Sequence, residues 1–341
     1  MPMIPELPRP WRRPRRMRRN PVIRGMVRET RLTPDRLVLP LFLIDGENVA
    51  EPIGAMPGHS RLSVELAAQK CREAVTAGVG AFVLFPAVDP SLKTHDAAEA
   101  VNPENLLCRA VRGIRAEVPE AYLITDIALD PYSSVGHDGL VSEEGVVLND
   151  ETVDILAGMA IVHAEAGADM VAPSDMMDGR VGAIRAALDA SGATETAILS
   201  YTAKYASGFY GPFREALDSA PVEADNVPKD KKTYQMDPAN VREAVVEAML
   251  DEDEGADILM VKPALPYLDV ISRLRDVSDL PIAAYQVSGE YAMLKAASEK
   301  GWLDERTCMT EALVGIARAG ADVIFTYAAL DYARWWRESL G

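Results

Sequence analysis

Four times in this chain a helical pattern ends on nearly the same short phrase, and an apolar run follows each time. The phrases are Ala77-Gly-Val-Gly, Ala166-Gly-Ala-Asp, Glu254-Gly-Ala-Asp and Ala319-Gly-Ala-Asp. Glycine there supplies the left-handed residue that ends a helix before the chain turns into a strand. Apolar runs lie at 37–44, 81–88, 121–129, 168–174, 196–204, 257–262, 281–287 and 322–327. They are β-branched or apolar on nearly every residue, which is how strands covered on both faces of a parallel sheet read. Amphipathic helical patterns fill the gaps, among them 64–77, 104–117, 150–166, 182–190 and 238–253. Eight such units without a long linker predict an α/β fold, a (β/α)8 TIM barrel over 37–341, with an extended N-terminal arm over 1–36. The phrase is spaced too irregularly for a solenoid. A doubly wound nucleotide-binding sheet is disfavoured, because Leu43-Ile-Asp-Gly-Glu-Asn-Val carries one glycine where a phosphate loop needs several. No organic cofactor is expected.

The net charge of -17 hides an asymmetry. Residues 1–36 hold eleven arginines against Glu6, Glu29 and Asp35, a balance of +8, so the remainder carries -25. A basic arm on an acidic body could bind nucleic acid, address the chain to a compartment, or embrace another copy. A body of that charge repels phosphate, so no nucleic-acid partner is expected. The run Pro8-Arg-Pro-Trp-Arg-Arg-Pro14 is too broken by proline for the amphipathic helix of a targeting peptide. The embracing arm of a homo-oligomer is the reading this leaves, though whether 1–36 includes a targeting segment stays open. No apolar run approaches the roughly 18 residues of a membrane span, so no membrane partner is expected. Cys71, Cys108 and Cys308 are odd in number and far apart, which argues against disulfides and a zinc knuckle. That usage suits a reducing cytosol, and a cytoplasmic protein is expected.

Barrels of this kind place their active groups at the C-terminal ends of the strands. Those ends carry Asp45, Asp89, Asp126 with Asp130, Ser174 with Asp175, Lys204, Lys262, Ser288 and Tyr327. Lys262 closes the run Asp257-Ile-Leu-Met-Val-Lys and is stopped by Pro263. A lysine there either snorkels to water or is desolvated, and desolvation frees a nucleophilic amine. Lys204 closes the run before it. Neighbouring strands lie about 4.8 Å apart, so two inward lysines at one height would repel and lower at least one pKa. Paired amines point to carbonyl chemistry through Schiff bases, on two substrate molecules.

Asp126, flanked by apolar residues, is the carboxylate expected to be desolvated and poised for proton transfer. Asp130 and Asp138 either join it, hold a hard cation, or serve only a turn. The connection 205–235 is long for a compact domain and carries Arg214, Lys229, Lys231, Lys232 and Gln235 beside Phe209 and Phe213. It is expected to be a lid that captures a carboxylate, although 229–232 alone reads as a solvated loop.

Several longer segments then converge on one family. They are Thr125-Asp-Ile-Ala-Leu-Asp-Pro-Tyr, Gly136-His-Asp-Gly, Ala172-Pro-Ser-Asp-Met-Met-Asp-Gly-Arg and Tyr201-Thr-Ala-Lys-Tyr-Ala-Ser-Gly-Phe-Tyr-Gly-Pro-Phe-Arg. Tyr234-Gln-Met-Asp-Pro, Leu259-Met-Val-Lys-Pro-Ala and Tyr285-Gln-Val-Ser-Gly-Glu-Tyr complete the set. Together, over essentially the whole chain, they resemble the porphobilinogen synthases, also called 5-aminolevulinate dehydratases. The resemblance implies condensation of two 5-aminolevulinate molecules to porphobilinogen with loss of two waters, an early step of tetrapyrrole biosynthesis. It implies that Lys262 forms the Schiff base on the propionate side and Lys204 the one on the acetate side. Ser288 and Tyr327 match the propionate-side carboxylate binders, and Arg214, Lys231 and Gln235 the acetate-side ones. Asp126 matches a catalytic acid, Ser174 and Phe213 line the pocket, and Asp130 is counted with the substrate-binding set.

Where the zinc-dependent branch of that family has three cysteines, this chain has Ala128, Asp130 and Asp138. One alanine and two carboxylates do not suit zinc, so the non-zinc, aspartate-type branch is expected. Relatives of that type are linked to magnesium, and Glu247 matches the glutamate of a magnesium site away from catalysis. Magnesium there, or no metal at all, are the two readings. The family assembles as a homo-oligomer, an octamer with a hexamer as the alternative. Two rivals are weighed against it. A class I Schiff-base aldolase needs only one lysine, and a silent barrel used as an assembly module has no need of Lys204, Lys262 and Asp126 together.

Overall fold

A computed structural model of the chain describes residues 13–217, 220–222, 224 and 226–339 and divides into two units, Met1–Arg31 and Leu32–Gly341. In the second unit all eight apolar runs are parallel strands: β1 (Leu37–Leu43), β2 (Ala81–Pro86), β3 (Tyr122–Ile127), β4 (Met170–Pro173), β5 (Ala197–Lys204), β6 (Ile258–Lys262), β7 (Ile282–Gln286) and β8 (Val323–Thr326). Each pairs with the next, and β8 closes on β1 through Leu37 opposite Ile324 and Val38 opposite Phe325. The result is the closed (β/α)8 barrel that the repeating pattern predicts. Every residue of β1 is buried, as an all-apolar strand covered on both faces should be.

The repeated phrase proves to carry two devices. Gly78, Gly167, Gly255 and Gly320 all take positive φ, from +101° to +128°, and so end their helices as only glycine does without strain. In the last three phrases the aspartate two residues after the glycine then reaches sideways to the strand before it. Asp169 accepts the Leu123 N–H at 2.7 Å, Asp257 the Ile198 N–H at 2.7 Å, and Asp322 the Ile282 N–H at 3.0 Å. Each carboxylate satisfies a donor at the base of the barrel where the ladder begins. The phrase precedes β2, β4, β6 and β8, so it marks every second strand.

The pairing of β5 with β6 changes step once. Leu259 lies opposite Ser200, but Val261 lies opposite Ala203, so β5 carries one extra residue. Ser200 faces the outer helices, where its hydroxyl donates to Asp251 at 2.6 Å. Regular alternation would turn Lys204, four residues on, to that same outer face. The extra residue brings it back inside, directly in register with Lys262.

The first unit is described from residue 13; the part of the expected arm at 1–12 lies outside the described residues. Pro14–Arg18 forms a 3-10 turn, and Pro21–Met26 a short helix whose Asn20 cap accepts the Ile23 N–H at 3.1 Å. Met17, Val22, Met26 and Val27 are exposed in it. The division falls before Leu32, which is buried in the barrel unit, and Arg36 donates there to the carbonyls of Ala321 and Asp322 at 2.9 and 2.8 Å. Among the described residues no helix is long and apolar enough to cross a membrane.

Candidate active site

Lys204 and Lys262 end their strands as neighbours, and both are buried. Lys204 Nζ donates to Asp138 Oδ2 at 3.1 Å and to the carbonyl of Ser174. Lys262 keeps different company. Its Nζ lies 4.6 Å from the ring centre of Tyr285, 4.9 Å from Tyr201, 5.1 Å from Phe213 and 5.4 Å from Tyr210. The ion pairs of the cavity go to Lys204 and Lys231 instead. Ring faces favour a cation only modestly, and burial outweighs them. Desolvation first, and then the charge of Lys204, bring the Lys262 amine down to about 7. A large share of it is therefore free base near neutrality, which is what a nucleophile toward a carbonyl requires.

Two carboxyl groups of the cavity are driven in opposite directions. Asp126, inside the barrel on β3, is pushed up to about 7 by burial and then by the charge of Asp130. Its Oδ1 has no hydrogen-bond partner, as suits a carboxyl group that holds its proton. Burial alone would raise Asp138 as well, but Lys204 and Lys231 hold it far below the usual carboxylate range. Lys231 Nζ lies 2.6 Å from Asp138 Oδ1 and 3.3 Å from Asp130 Oδ2. Burial disfavours the Lys231 ammonium, and these two carboxylates more than restore it.

Tyr210, Phe213, Arg214, Lys231 and Gln235 of the connection 205–235 line a cavity of about 30 Å³ at the strand ends together with Asp126, Asp130, Asp138, Ser174, Lys204 and Lys262. Tyr210 fastens the connection near the lysine by donating to the carbonyls of Tyr205 at 2.7 Å and Lys262 at 3.2 Å. His137 fastens its far side, bonded to Tyr234 Oη at 3.0 Å and the Pro228 carbonyl at 2.8 Å. Ser288 and Tyr327 stand one layer behind this space. The Ser288 hydroxyl accepts the Phe213 N–H at 3.0 Å, and Tyr327 Oη lies 3.1 Å from Tyr285 Oη.

Other strand-end candidates fall elsewhere. Asp45 pairs with Arg109 at 2.6 Å, and Asp89 caps the turn Pro90–Leu92. Asp175 sits 3.6 Å from the buried Arg180. Lys229 and Lys232 are exposed, as a solvated loop would have them. Glu247 lines a separate cavity of about 490 Å³ with Asn149, Asp178 and Glu243, and burial pushes its carboxyl up to about 7. Sequence reasoning left out the rings of Tyr201, Tyr210 and Tyr285 and did not choose Asp138 as a site residue. Tyrosines on strands read as core, and the sequence leaves Asp138 between joining Asp126, holding a cation and serving a turn.

The family model described as delta-aminolevulinic acid dehydratase matches residues 11–335. This chain belongs to the delta-aminolevulinic acid dehydratase family. It is 56% identical over 324 residues to the chloroplastic delta-aminolevulinic acid dehydratase of Physcomitrium patens, covering 95% of this chain and 74% of that relative. The chloroplastic enzyme of Glycine max is 55% identical over 334 residues, with 98% and 79% covered. The crystal structure of the delta-aminolevulinic acid dehydratase (porphobilinogen synthase) of Toxoplasma gondii, in complex with the product porphobilinogen, matches with a TM-score of 0.93 at 54% identity, covering 95% of this chain and 91% of that one. The activity is thus that of a porphobilinogen synthase, a lyase of tetrapyrrole biosynthesis on a TIM barrel.

One expectation is corrected by the same family members. The relatives of Physcomitrium patens and Glycine max are described as chloroplastic, which overturns the expectation of a cytoplasmic protein. Three free cysteines ask only for a reducing compartment, and nothing in their spacing says which. The zinc positions of the family can be tested against geometry. Ala128 offers no electron pair, and Asp130 and Asp138 already receive Lys231 and Lys204, so these residues do not fit a zinc ion.

Proposed function

We propose that this porphobilinogen synthase takes its two 5-aminolevulinate molecules as Schiff bases, one on Lys262 and one on Lys204. The observation that carries the reading is the Lys262 amine. It is buried, brought down to about 7, surrounded by rings, and in register with a second lysine. In each step the amine attacks the substrate ketone, a carbinolamine forms, and one water leaves as the imine is made. Asp126, holding a proton near neutrality, is suited to protonate the departing hydroxyl. The second amine, Lys204, lies 3.1 Å from Asp138 and must be released from that ion pair before it attacks.

Carboxylate recognition divides as the family motifs suggest. Lys231 spends two of its three N–H donors on Asp138 and Asp130, which leaves one for an acetate-side carboxylate beside Arg214. Gln235, buried with its Oε1 unpartnered, has an amide to offer the same ligand. On the propionate side the Ser288 hydroxyl accepts from Phe213, so its own proton remains to be donated, and Tyr327, beside Tyr285, supplies a second hydroxyl. Phe213 and Ser174 shape the wall. A space of about 30 Å³ holds little more than one water, so the lid 205–235 must swing away for substrates to enter.

The reading extends to a non-zinc enzyme of the aspartate type. Magnesium at Glu247, outside the catalytic cavity, or no metal at all are its two forms, and among the described residues no three acidic, histidine or cysteine side chains gather to hold an ion. The exposed apolar side chains of the basic first unit suit contact with another copy, as in an octamer or hexamer. Borohydride reduction with 5-aminolevulinate, followed by peptide mapping, tests the core of this reading. It should label Lys262; active enzyme that is labelled on neither lysine would overturn it.

A further inference from the structure

We infer that Glu290 is a positioning residue for the reaction: its carboxylate ties the chain leaving Lys262 to the turn that carries Ser288. The inference rests on the reading of Lys262 as the Schiff-base lysine. Pro263, directly after Lys262, has no N–H to give, and the next two donors have left the β6 ladder. Buried N–H groups need acceptors. Glu290 provides them, with Oε2 accepting the Ala264 N–H at 3.2 Å and Oε1 the Leu265 N–H at 2.6 Å.

The same carboxylate closes a second loop. Oε2 accepts the Val287 N–H at 2.8 Å, the reach-back of a glutamate in the first turn of the helix Ser288–Glu299. Capping that helix needs the Val287 bond alone. The bonds to Ala264 and Leu265 belong to the neighbouring β6 loop, so helix capping does not account for them. Glutamine would cap the helix equally well, and its one oxygen in the place of Oε2 could still accept from Val287 and Ala264, but its amide N–H would then face the Leu265 N–H, donor against donor. Burying a carboxylate among neutral donors is costly. The arrangement makes sense as a brace that fixes the end of β6 relative to the carboxylate-binding turn.

The brace is one of two holds on this strand end. On the lid side, the Lys262 carbonyl receives the Tyr205 N–H at 3.0 Å and the Tyr210 hydroxyl at 3.2 Å. Removing Glu290 releases the β7 side only, which leaves the lid attachment and the barrel ladder in place. The expected defect is therefore in where the Lys262 amine points, not in whether the barrel forms.

The test compares full-length wild type with Glu290→Gln and Glu290→Asp. It follows the rate of borohydride trapping of 5-aminolevulinate at Lys262, together with kcat, KM, circular dichroism and sedimentation. Glu290→Gln should keep the fold and assembly of wild type while trapping and kcat fall by about 100-fold, the scale of a misplaced reacting group, with KM changed far less. Glu290→Asp, which keeps two acceptor oxygens on a shorter arm, should recover part of the loss. Equal trapping per folded molecule in Glu290→Gln overturns the inference alone. Failure of both variants to fold also overturns it, because Glu290 would then hold the barrel and not the lysine. A wild-type enzyme left unlabelled at Lys262 sinks the Schiff-base reading, and the inference falls with it.

Discussion

Lys262 and Lys204 face each other in register across β6 and β5, and they are held by opposite means. Lys204 is gripped by the oxygens of Asp138 and Ser174, whereas Lys262 is packed against the rings of Tyr285, Tyr201, Phe213 and Tyr210. With the counter-ion assigned to one lysine, the other bears both the desolvation and the repulsion. That asymmetry is how two chemically identical amines acquire different readiness to react.

Asp138 is the residue on which the asymmetry depends. Asp138→Asn leaves Lys204 and Lys231 buried without their shared charge. Breaking a buried pair of this kind costs about 3–5 kcal/mol. Turnover should fall by about 100-fold or more, with a lowered Tm. Steady-state rates and calorimetry check both, and full activity in this variant would remove Asp138 from the site.

The pH profile should be a narrow bell. Lys262 must be unprotonated to attack, so the rate rises as pH climbs through about 7. Asp126 must hold its proton, so the rate falls as pH climbs through about 7. The two groups interact, and the limbs report the pair and not either residue alone. Initial rates that stay flat from about pH 6 to about pH 9 would contradict the assignment.

Asp126 should also weaken the fold. Its folded-state value of about 7 lies above the ordinary carboxyl value, so the folded chain binds an extra proton between the two. Stability contributed by that proton is present at acid pH and lost as pH rises through about 7. Asp126→Asn cannot ionise and should be more stable at about pH 8 by roughly 1 kcal/mol, with the gain fading toward about pH 4 and turnover lost. Thermal unfolding at the two pH values checks this.

Arg180 supports β5 from outside. It is buried beside Asp175 at 3.6 Å and Asp251 at 3.5 Å, and it reaches Ser200 Oγ at 3.2 Å. Arg180→Met strands two buried carboxylates, at a cost of about 3–5 kcal/mol. Denaturant unfolding should show the loss, and a change under about 1 kcal/mol would show that the cluster relaxes without it.

The strand ends were legible because apolar runs stop abruptly at polar residues, and this is why Lys204, Lys262 and Asp126 could be chosen by position. The cations of the connection 205–235 were legible by contrast with an acidic body. The aspartates of the repeated phrase read only as punctuation, because a bond from Asp257 to the Ile198 N–H joins residues far apart in the chain. The cage around Lys262 stayed hidden for a similar reason. Tyr201 and Tyr285 come from different strands, and a tyrosine in an apolar run looks like core until the barrel closes. Glu290 stands inside the segment Tyr285-Gln-Val-Ser-Gly-Glu-Tyr, but nothing in the sequence says which backbone donors it meets.

The extra residue in β5 makes the second amine a matter of parity. Deleting one residue between Ser200 and Ala203 would leave Lys204 in the sequence and swing it out among the helices, where it could meet no substrate. A barrel with two inward amines is thus one insertion away from a barrel with one, with no change in any side chain. An ungapped alignment of this chain to a single-lysine barrel would match the residue and mistake which way it faces.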